Sequence, residues 1–466
     1  MKKINQGLVL AVITIGIFIR MTAYDDLRLS VANADTPTYV KSSEVNLLSW
    51  EAFRTYRPFT TNMVYKIFTP GNGYRYRAIS EGEAGTVKRK IDRGFDDIAV
   101  LQSTISIIAW ACLAWIFTSQ LQNSVIRVAS AGIIMLFGFT PQIADWDSVL
   151  GAESLSISLF VIAFAILLWL SFAFYNQPEL TTNKMAGFAL LYVVLFFWIF
   201  VRDVNAYSLL ILVVLLLGLY IFPRFRKAKF LLLASLVVLA LFIVGEISAR
   251  QRPLWKLALE HVWGSDILPF PANVRYFSER GMPEYGTPEY SQWFNERARS
   301  TYLQFLLVHP AYTTFKFFRD VDVAFAINLQ PYFKASELPA RPLLIMAGNY
   351  LHSKSGTVFF IIIFLLLILW GFVVFQNKRN VIPWAWIITW AFLTATATIF
   401  FTIFGDTYGL VRHTLSSTMT FRLLMWMLLF IIADIAWLRV EKQAHLAAPS
   451  LAQDGSGAGT GERSAE

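Results

Sequence analysis

The chain has 466 residues, 56% of them hydrophobic and only 15% charged, with a formal net charge of +9. Soluble domains carry about 25% charged residues, and 40 Phe with 15 Trp exceed what a water-exposed fold can bury, whereas a bilayer can hold them. The positive residues sit mostly in short connections or beside matching acids, which excludes a nucleic-acid partner. The single Cys112 excludes an internal disulfide framework and a Cys-based metal site.

Each membrane span needs about 20 apolar residues, and a helix satisfies its own backbone in lipid. On that rule about ten spans follow in chain order, at 4–22, 98–118, 127–143, 153–174, 185–201, 204–222, 230–247, 356–375, 383–403 and 415–438. The third and fifth are short. The fifth and sixth are separated only around Arg202, Asp203 and Asn205, so they read as two helices or as one broken element. The predicted fold class is an all-α polytopic membrane protein.

The first apolar run follows Lys2 and Lys3, and Ala32-Asn33-Ala34 offers a small-residue cleavage triplet. That triplet lies far beyond the run, so an uncleaved first helix is expected. Lys and Arg in short loops set orientation. Arg127, Lys184, the Arg224–Lys229 stretch, Lys378–Arg379 and Arg439–Lys442 alternate with the other loops and share one side with Lys2 and Lys3. That side is assigned to the cytoplasm, with both termini on it if the count is ten. No N-x-[ST] triplet is present, in keeping with a bacterial cytoplasmic membrane.

Two large segments lie outside the spans, at 23–97 and 248–355, both aromatic, mixed in charge and punctuated by Pro and Gly. They read as extracytoplasmic loops carrying short helices on the membrane face. Residues 1–442 form the transmembrane domain, and the Gly-, Ser- and Ala-rich tail 443–466 is expected to be a disordered cytoplasmic extension.

Ionisable residues cluster at the extracytoplasmic ends of the spans. Asp25, Asp26 and Asp35 follow the first span, and Asp145, Asp147 and Glu153 join the third and fourth. Arg202 and Asp203 follow the fifth, and Asp406, Arg412 and His413 join the last two. Such groups are costly at a membrane unless paired or solvated, so their gathering on one face points to a polar cavity there. The bland alternative is that loop ends simply carry charges. For Asp35, which precedes Thr36-Pro37, the bland alternative is a helix cap. Arg57, before Pro58 and an apolar run, either binds a lipid phosphate or snorkels.

Four features, in order, resemble GT-C-type membrane glycosyltransferases, near the bacterial protein O-mannosyltransferases and aminoarabinose transferases. They are the early loop acid in Ala34-Asp35-Thr36-Pro37, Arg57-Pro58, the acid opening the fourth span in Gly151-Ala152-Glu153, and Arg412-His413 before the last span. The adjacent Asp-Glu pair of the mannosyltransferases is absent, since Thr36 follows Asp35.

The resemblance implies a polyprenyl-phosphate sugar donor, a membrane-lipid setting, and an acceptor that is a glycan, a lipid or a protein. It makes Asp35 the catalytic base. Arg57, Arg202, Arg412 and His413 would bind the donor phosphate or substrate, with Asp145, Asp147, Glu153 and Asp406 lining the polar cavity. Acids are plentiful enough to hold a divalent cation, but no spacing specifies one, and the five histidines are scattered.

The rival functions are a transporter or flippase of lipid-linked saccharides, a polysaccharide polymerase or ligase, and a non-catalytic assembly subunit. A transporter calls for related halves or mid-membrane charges, and neither is evident in the sequence.

Overall fold

The structure is a computed structural model that describes residues 2–24, 27–69, 76–79, 89–92, 95–327, 329–330, 338–376 and 381–453. The acidic pair Asp25-Asp26 lies outside the described residues.

In chain order the first part runs α1 (Lys2–Thr22), β1 (Val31–Ala32), α2 (Thr36–Ser42), α3 (Phe59–Ile67), β2 (Tyr76–Ile79), β3 (Arg89–Asp92) and α4 (Asp96–Gln120). Next come α5 (Ser124–Phe139), α6 (Pro141–Ala144), β4 (Val149–Leu150), α7 (Glu153–Asn176), α8 (Thr182–Ile199), α9 (Tyr207–Gly218) and α10 (Lys229–Gln251). The second outer segment contains α11 (Leu254–Val262), α12 (Pro271–Ser278), α13 (Pro288–Trp293), α14 (Arg299–Val308), α15 (Pro310–Ala324) and α16 (Arg341–Leu351). The chain ends with α17 (Thr357–Gln376), α18 (Ile382–Gly405), α19 (Leu410–His413) and α20 (Leu415–Gln453).

Among the described residues eight helices are long and apolar enough to cross a membrane, and a ninth span forms if α5 is joined to Pro141–Ser148 across a 45° bend. Gln6–Thr22 is a shorter apolar helix. These ten segments fall where hydropathy put them, and the chain is an all-α, multi-pass membrane protein. The bend has a local cause. Thr140 is extended, with ψ 154°, and Pro141 opens the next turn, because a residue before proline is driven out of the helical region. The fifth and sixth spans are two helices, separated by an extended Arg202 and a 3-10 turn at Asp203–Ala206.

The helices α7, α18 and α20 form the inside of the bundle, while α10 and α17 lie mostly at its surface. The second outer segment has an aromatic core of its own, built around Trp263, Phe277, Trp293, Phe294, Tyr302 and Phe305. The last helix continues to Gln453, so the first part of the tail 443–466 is helical and the rest lies outside the described residues.

A four-stranded sheet of order β2-β3-β1-β4 sits above the spans. Its register positions the site. Strands β1 and β4 run parallel, with Val31 opposite Val149 and Ala32 opposite Leu150. Asp35 comes three residues after Ala32, and Glu153 three residues after Leu150. Two distant acids therefore emerge side by side, each where a helix begins.

Candidate active site

The turn before α2 determines what Asp35 is free to do. The Asn33 side-chain oxygen accepts from the backbone N–H of Asp35 at 2.8 Å and of Thr36 at 3.1 Å. The Thr36 hydroxyl donates to the Leu150 carbonyl at 3.0 Å, tying the turn to β4. Asp35 occupies the N-cap position but makes no side-chain cap bond. Asn33 does the capping, and the Asp35 carboxylate points elsewhere.

That carboxylate is held between two arginines. Arg57 Nη2 meets Asp35 Oδ1 at 2.8 Å, and Arg412 Nη2 pairs with Asp35 Oδ2. Arg57 is fixed from both sides. Its Nε donates to the Thr38 hydroxyl at 2.7 Å, and its guanidinium lies 4.3 Å from the Tyr39 ring centroid and 5.3 Å from that of Tyr56. Arg412 stands on the one-turn helix α19, entered through Gly409 at φ 63°, a left-handed conformation that glycine takes at no steric cost. The Arg412 Nε reaches Glu153 Oε1 at 3.2 Å. Glu153 Oε2 has no hydrogen-bond partner among the described residues. A Cβ on Gly151 would overlap that oxygen and lie 3.2 Å from Asn33 Nδ2, so the glycine makes room for the carboxylate.

From Arg412 the network continues outward. His413 Nε2 lies 3.4 Å from Arg412 Nη2, and His413 Nδ1 lies 3.1 Å from Asp406 Oδ2. Asp406 Oδ1 in turn faces His261 Nδ1 at 2.9 Å, and the Ser265 hydroxyl donates to the Thr407 hydroxyl at 2.8 Å. The second outer segment thus grips the turn that carries Arg412.

Electrostatics follow the geometry. Burial alone would raise the Asp35 pKa, but the charges of Arg57 and Arg412 and their hydrogen bonds outweigh it and hold the carboxyl below its ordinary 3.8. Burial also works against the charged Arg412, and Glu153 and Asp35 overcome it, raising its pKa. The Tyr39 hydroxyl is pushed up to about 12, chiefly by burial. Asp406 is lowered, the hydrogen bond and charge of His413 and the bond from His261 prevailing over burial. Asp35 is 28% exposed and Arg412 32%, so a substrate can reach both.

A cavity of about 150 Å³ adjoins Arg412, with Asn33, Gln142, Trp146, Gln330 and Arg422 among its walls. Asp35, Arg57, Glu153, Asp406, Arg412 and His413 are brought into one connected network. The remaining expected residues lie outside it. Asp145 is fully buried in a two-pronged pair with Arg341, at 3.0 and 2.7 Å. Asp147 is buried against Arg20 at 3.1 Å and accepts from the Ser154 hydroxyl at 2.6 Å. Both acids serve as anchors between helices rather than lining the cavity. Arg202 forms no ion pair or side-chain hydrogen bond with a described residue, and its neighbour Asp203 pairs with Arg252. Among the described residues no group of three or more His, Cys, Asp and Glu side chains is placed to hold a metal ion.

Asn33, Tyr39, His261 and Arg422 are members of this region that sequence reasoning passed over. Asn33 had a local signal, two residues before the acid that it frees. His261 had none, since its partner lies 145 residues on.

No family model and no curated protein matches the sequence. Among solved structures, similarity is found to the archaeal oligosaccharyltransferase AglB from Archaeoglobus fulgidus in complex with an inhibitory peptide and a dolichol-phosphate. The identity is 11%, covering 98% of this chain and 52% of that one, with a TM-score of 0.45. The Archaeoglobus fulgidus oligosaccharyltransferase in complex with Zn and sulfate is similar at 11% identity over 94% of this chain and 51% of that one, TM-score 0.45. The chain spans about half the length of these structures.

Proposed function

We propose that the protein is a membrane glycosyltransferase that moves a sugar from a polyprenyl-phosphate carrier to an acceptor hydroxyl at the extracytoplasmic face. The observation that carries this reading is the partly exposed Asp35 carboxylate set between Arg57 and Arg412, with Arg412 lining a cavity of mixed polar and apolar walls.

Transfer forms a bond from the acceptor oxygen to the anomeric carbon and breaks the bond from that carbon to the phosphate oxygen. The hydroxyl proton needs an acceptor within hydrogen-bond reach, and Asp35, ionised at neutral pH, is that acceptor. The electron pair leaves with the lipid phosphate. Guanidinium groups stabilise the developing charge through short, charge-assisted bonds. Arg412 is placed to do so, with Arg57 behind it. Arg412 is held by Asp35 and Glu153. An incoming phosphate competes for it, and taking it over releases one oxygen of Asp35 for the acceptor proton. The face is assigned from the basic stretch at 224–229, which lies at the opposite end of the spans from Asp35.

The test pairs wild type with Asp35→Asn in nanodiscs, each given a panel of polyprenyl-phosphate sugars with membrane extract. Mass spectrometry follows free polyprenyl phosphate and glycosylated product. Consumption of one donor by wild type but not by the folded variant supports the reading. A variant as fast as wild type removes Asp35 as the base. A wild type that consumes no donor, with the extract supplying acceptors, favours the transport and assembly alternatives.

A further inference from the structure

A second site is built at the other end of the bundle. From Glu153, α7 runs to Asn176, about 35 Å along its axis at 1.5 Å per residue. Near that far end α7, α8, α9, α10 and α18 leave an open groove. Its walls include Leu170, Phe174, Phe188, Leu216, Phe225 and Trp386. The hydroxyl of Ser171, another wall residue, is used up by the Leu168 carbonyl at 2.8 Å. The Trp386 indole N–H donates to the Leu215 carbonyl at 3.4 Å. The groove therefore offers hydrocarbon contact and hardly any polar group.

One end of the groove is cationic. The Arg224 guanidinium lies 5.0 Å from the ring centroid of Tyr175, a wall residue, and donates to the Asn176 carbonyl at 3.3 Å. The Lys184 ammonium lies 4.8 Å from the Phe174 ring and donates to the carbonyls of Gln177 and, at 2.7 Å, Glu179. Among the described residues both cations bond to backbone carbonyls and to no carboxylate. The acid beside them is Glu179, whose residue is exposed. Arg226, Lys227 and Lys229 follow within five residues of Arg224. An apolar trough ending at paired cations matches an acyl chain ending at an anionic head, and basic clusters at a membrane surface attract anionic lipids.

We propose that this groove binds an anionic phospholipid of the adjacent leaflet, one acyl chain along Leu170, Phe174 and Leu216 and the phosphate at the exposed Arg224, with the buried Lys184 adding its charge through space. The site is separate from the Asp35 network, and the proposal does not rest on the glycosyltransferase reading.

Native mass spectrometry of the detergent-purified full chain tests it, with phosphatidylglycerol, phosphatidylcholine of identical chains, and polyprenyl phosphate as probes. The expected result is one retained phosphatidylglycerol at a concentration about tenfold below that needed for phosphatidylcholine. Arg224→Gln, an exposed change, should erase most of that preference. Leu216→Trp, which fills the trough, should reduce retention of both lipids. Where Leu216→Trp does not fold, the Arg224→Gln comparison decides alone. Equal retention of the two phospholipids by wild type overturns the proposal, as does a preference untouched by Arg224→Gln. Displacement of phosphatidylglycerol by an equimolar amount of polyprenyl phosphate would make this a carrier-tail site instead, and would also overturn it.

Discussion

Asp35 and Arg412 stand 377 residues apart in the chain and share an ion pair beside a cavity that Arg412 lines. Each is held by a separate device. The parallel pairing of Ala32 with Leu150 and the Asn33 turn deliver Asp35, while Gly409 and the His261–Asp406–His413 contacts deliver Arg412. The pair therefore closes a ring from the first outer segment through α7 to the last helix. Its members are testable one by one.

Asp35→Asn removes the charge and keeps the shape. If Asp35 is the general base, sugar transfer should fall by about 10²–10⁴-fold. Because Asn33 rather than Asp35 caps α2, the helix keeps its cap, and the melting temperature should fall only by what the two lost ion pairs contribute. The measurement is initial transfer rate beside thermal unfolding of the same preparation. A loss of stability large enough to explain the lost rate would return Asp35 to a structural role.

Arg412→Lys keeps the positive charge but loses the fork that reaches Asp35 and Glu153 together, and the two side chains are not interchangeable at such a site. If Arg412 stabilises the leaving phosphate, kcat should drop by about 10²-fold or more, with KM changed less. Gly151→Ala is a gentler probe of the same arrangement. The added methyl displaces Glu153 Oε2, tilting the partner of Arg412, and misplacement of that order costs up to about 10²-fold. Full activity in Gly151→Ala would mean that Glu153 does not position Arg412.

Hydropathy alone located the spans, since a run such as Phe359–Leu369 admits no other reading in a chain of this composition. Of the charged residues that the sequence singled out, Asp35, Arg57, Glu153, Asp406, Arg412 and His413 meet in one network, and Asp145, Asp147 and Arg202 do not. The partners of each were not legible. Asp35, Asp145 and Asp147 look alike in sequence, yet one is partly exposed and the other two are buried against Arg341 and Arg20. Arg20 lies within α1 and Arg341 in a distant outer helix, and no local pattern links either to residues 145–147. The pairing of His261 with Asp406 was hidden in the same way. Pairings over a hundred residues depend on how helices pack, which periodicity does not encode.

The pH profile offers an independent check. Asp35 has a folded pKa below its ordinary 3.8, so its ion pairs contribute stability above that ordinary value and lose it as pH falls through the lowered one. The base form is equally present throughout the neutral range. The acid limb of kcat/KM due to Asp35 should therefore lie below about pH 4. In Arg412→Gln one of the two lowering charges is gone while burial remains, so that limb should move upward. An acid limb that stays in place in Arg412→Gln would assign it to another group.

Asp145 and Arg341 provide the contrasting case. Both side chains are almost wholly buried, at 0% and 2% exposure, and meet in a two-pronged pair between the bent span and α16. Breaking such a pair by removing one partner typically costs about 3–5 kcal/mol, whereas replacing both with apolar groups can be nearly neutral. Asp145→Asn should therefore lower the melting temperature markedly. The double variant Asp145→Leu with Arg341→Met should recover much of that loss. Transfer activity per folded molecule should stay near wild type in the double variant, because neither residue belongs to the Asp35 network. Thermal unfolding in nanodiscs, with activity normalised to the folded fraction, separates the outcomes. A double variant that is stable but inactive would place Asp145 in the chemistry after all, and a double variant no more stable than Asp145→Asn would show that the pair is not what binds α16 to the bent span.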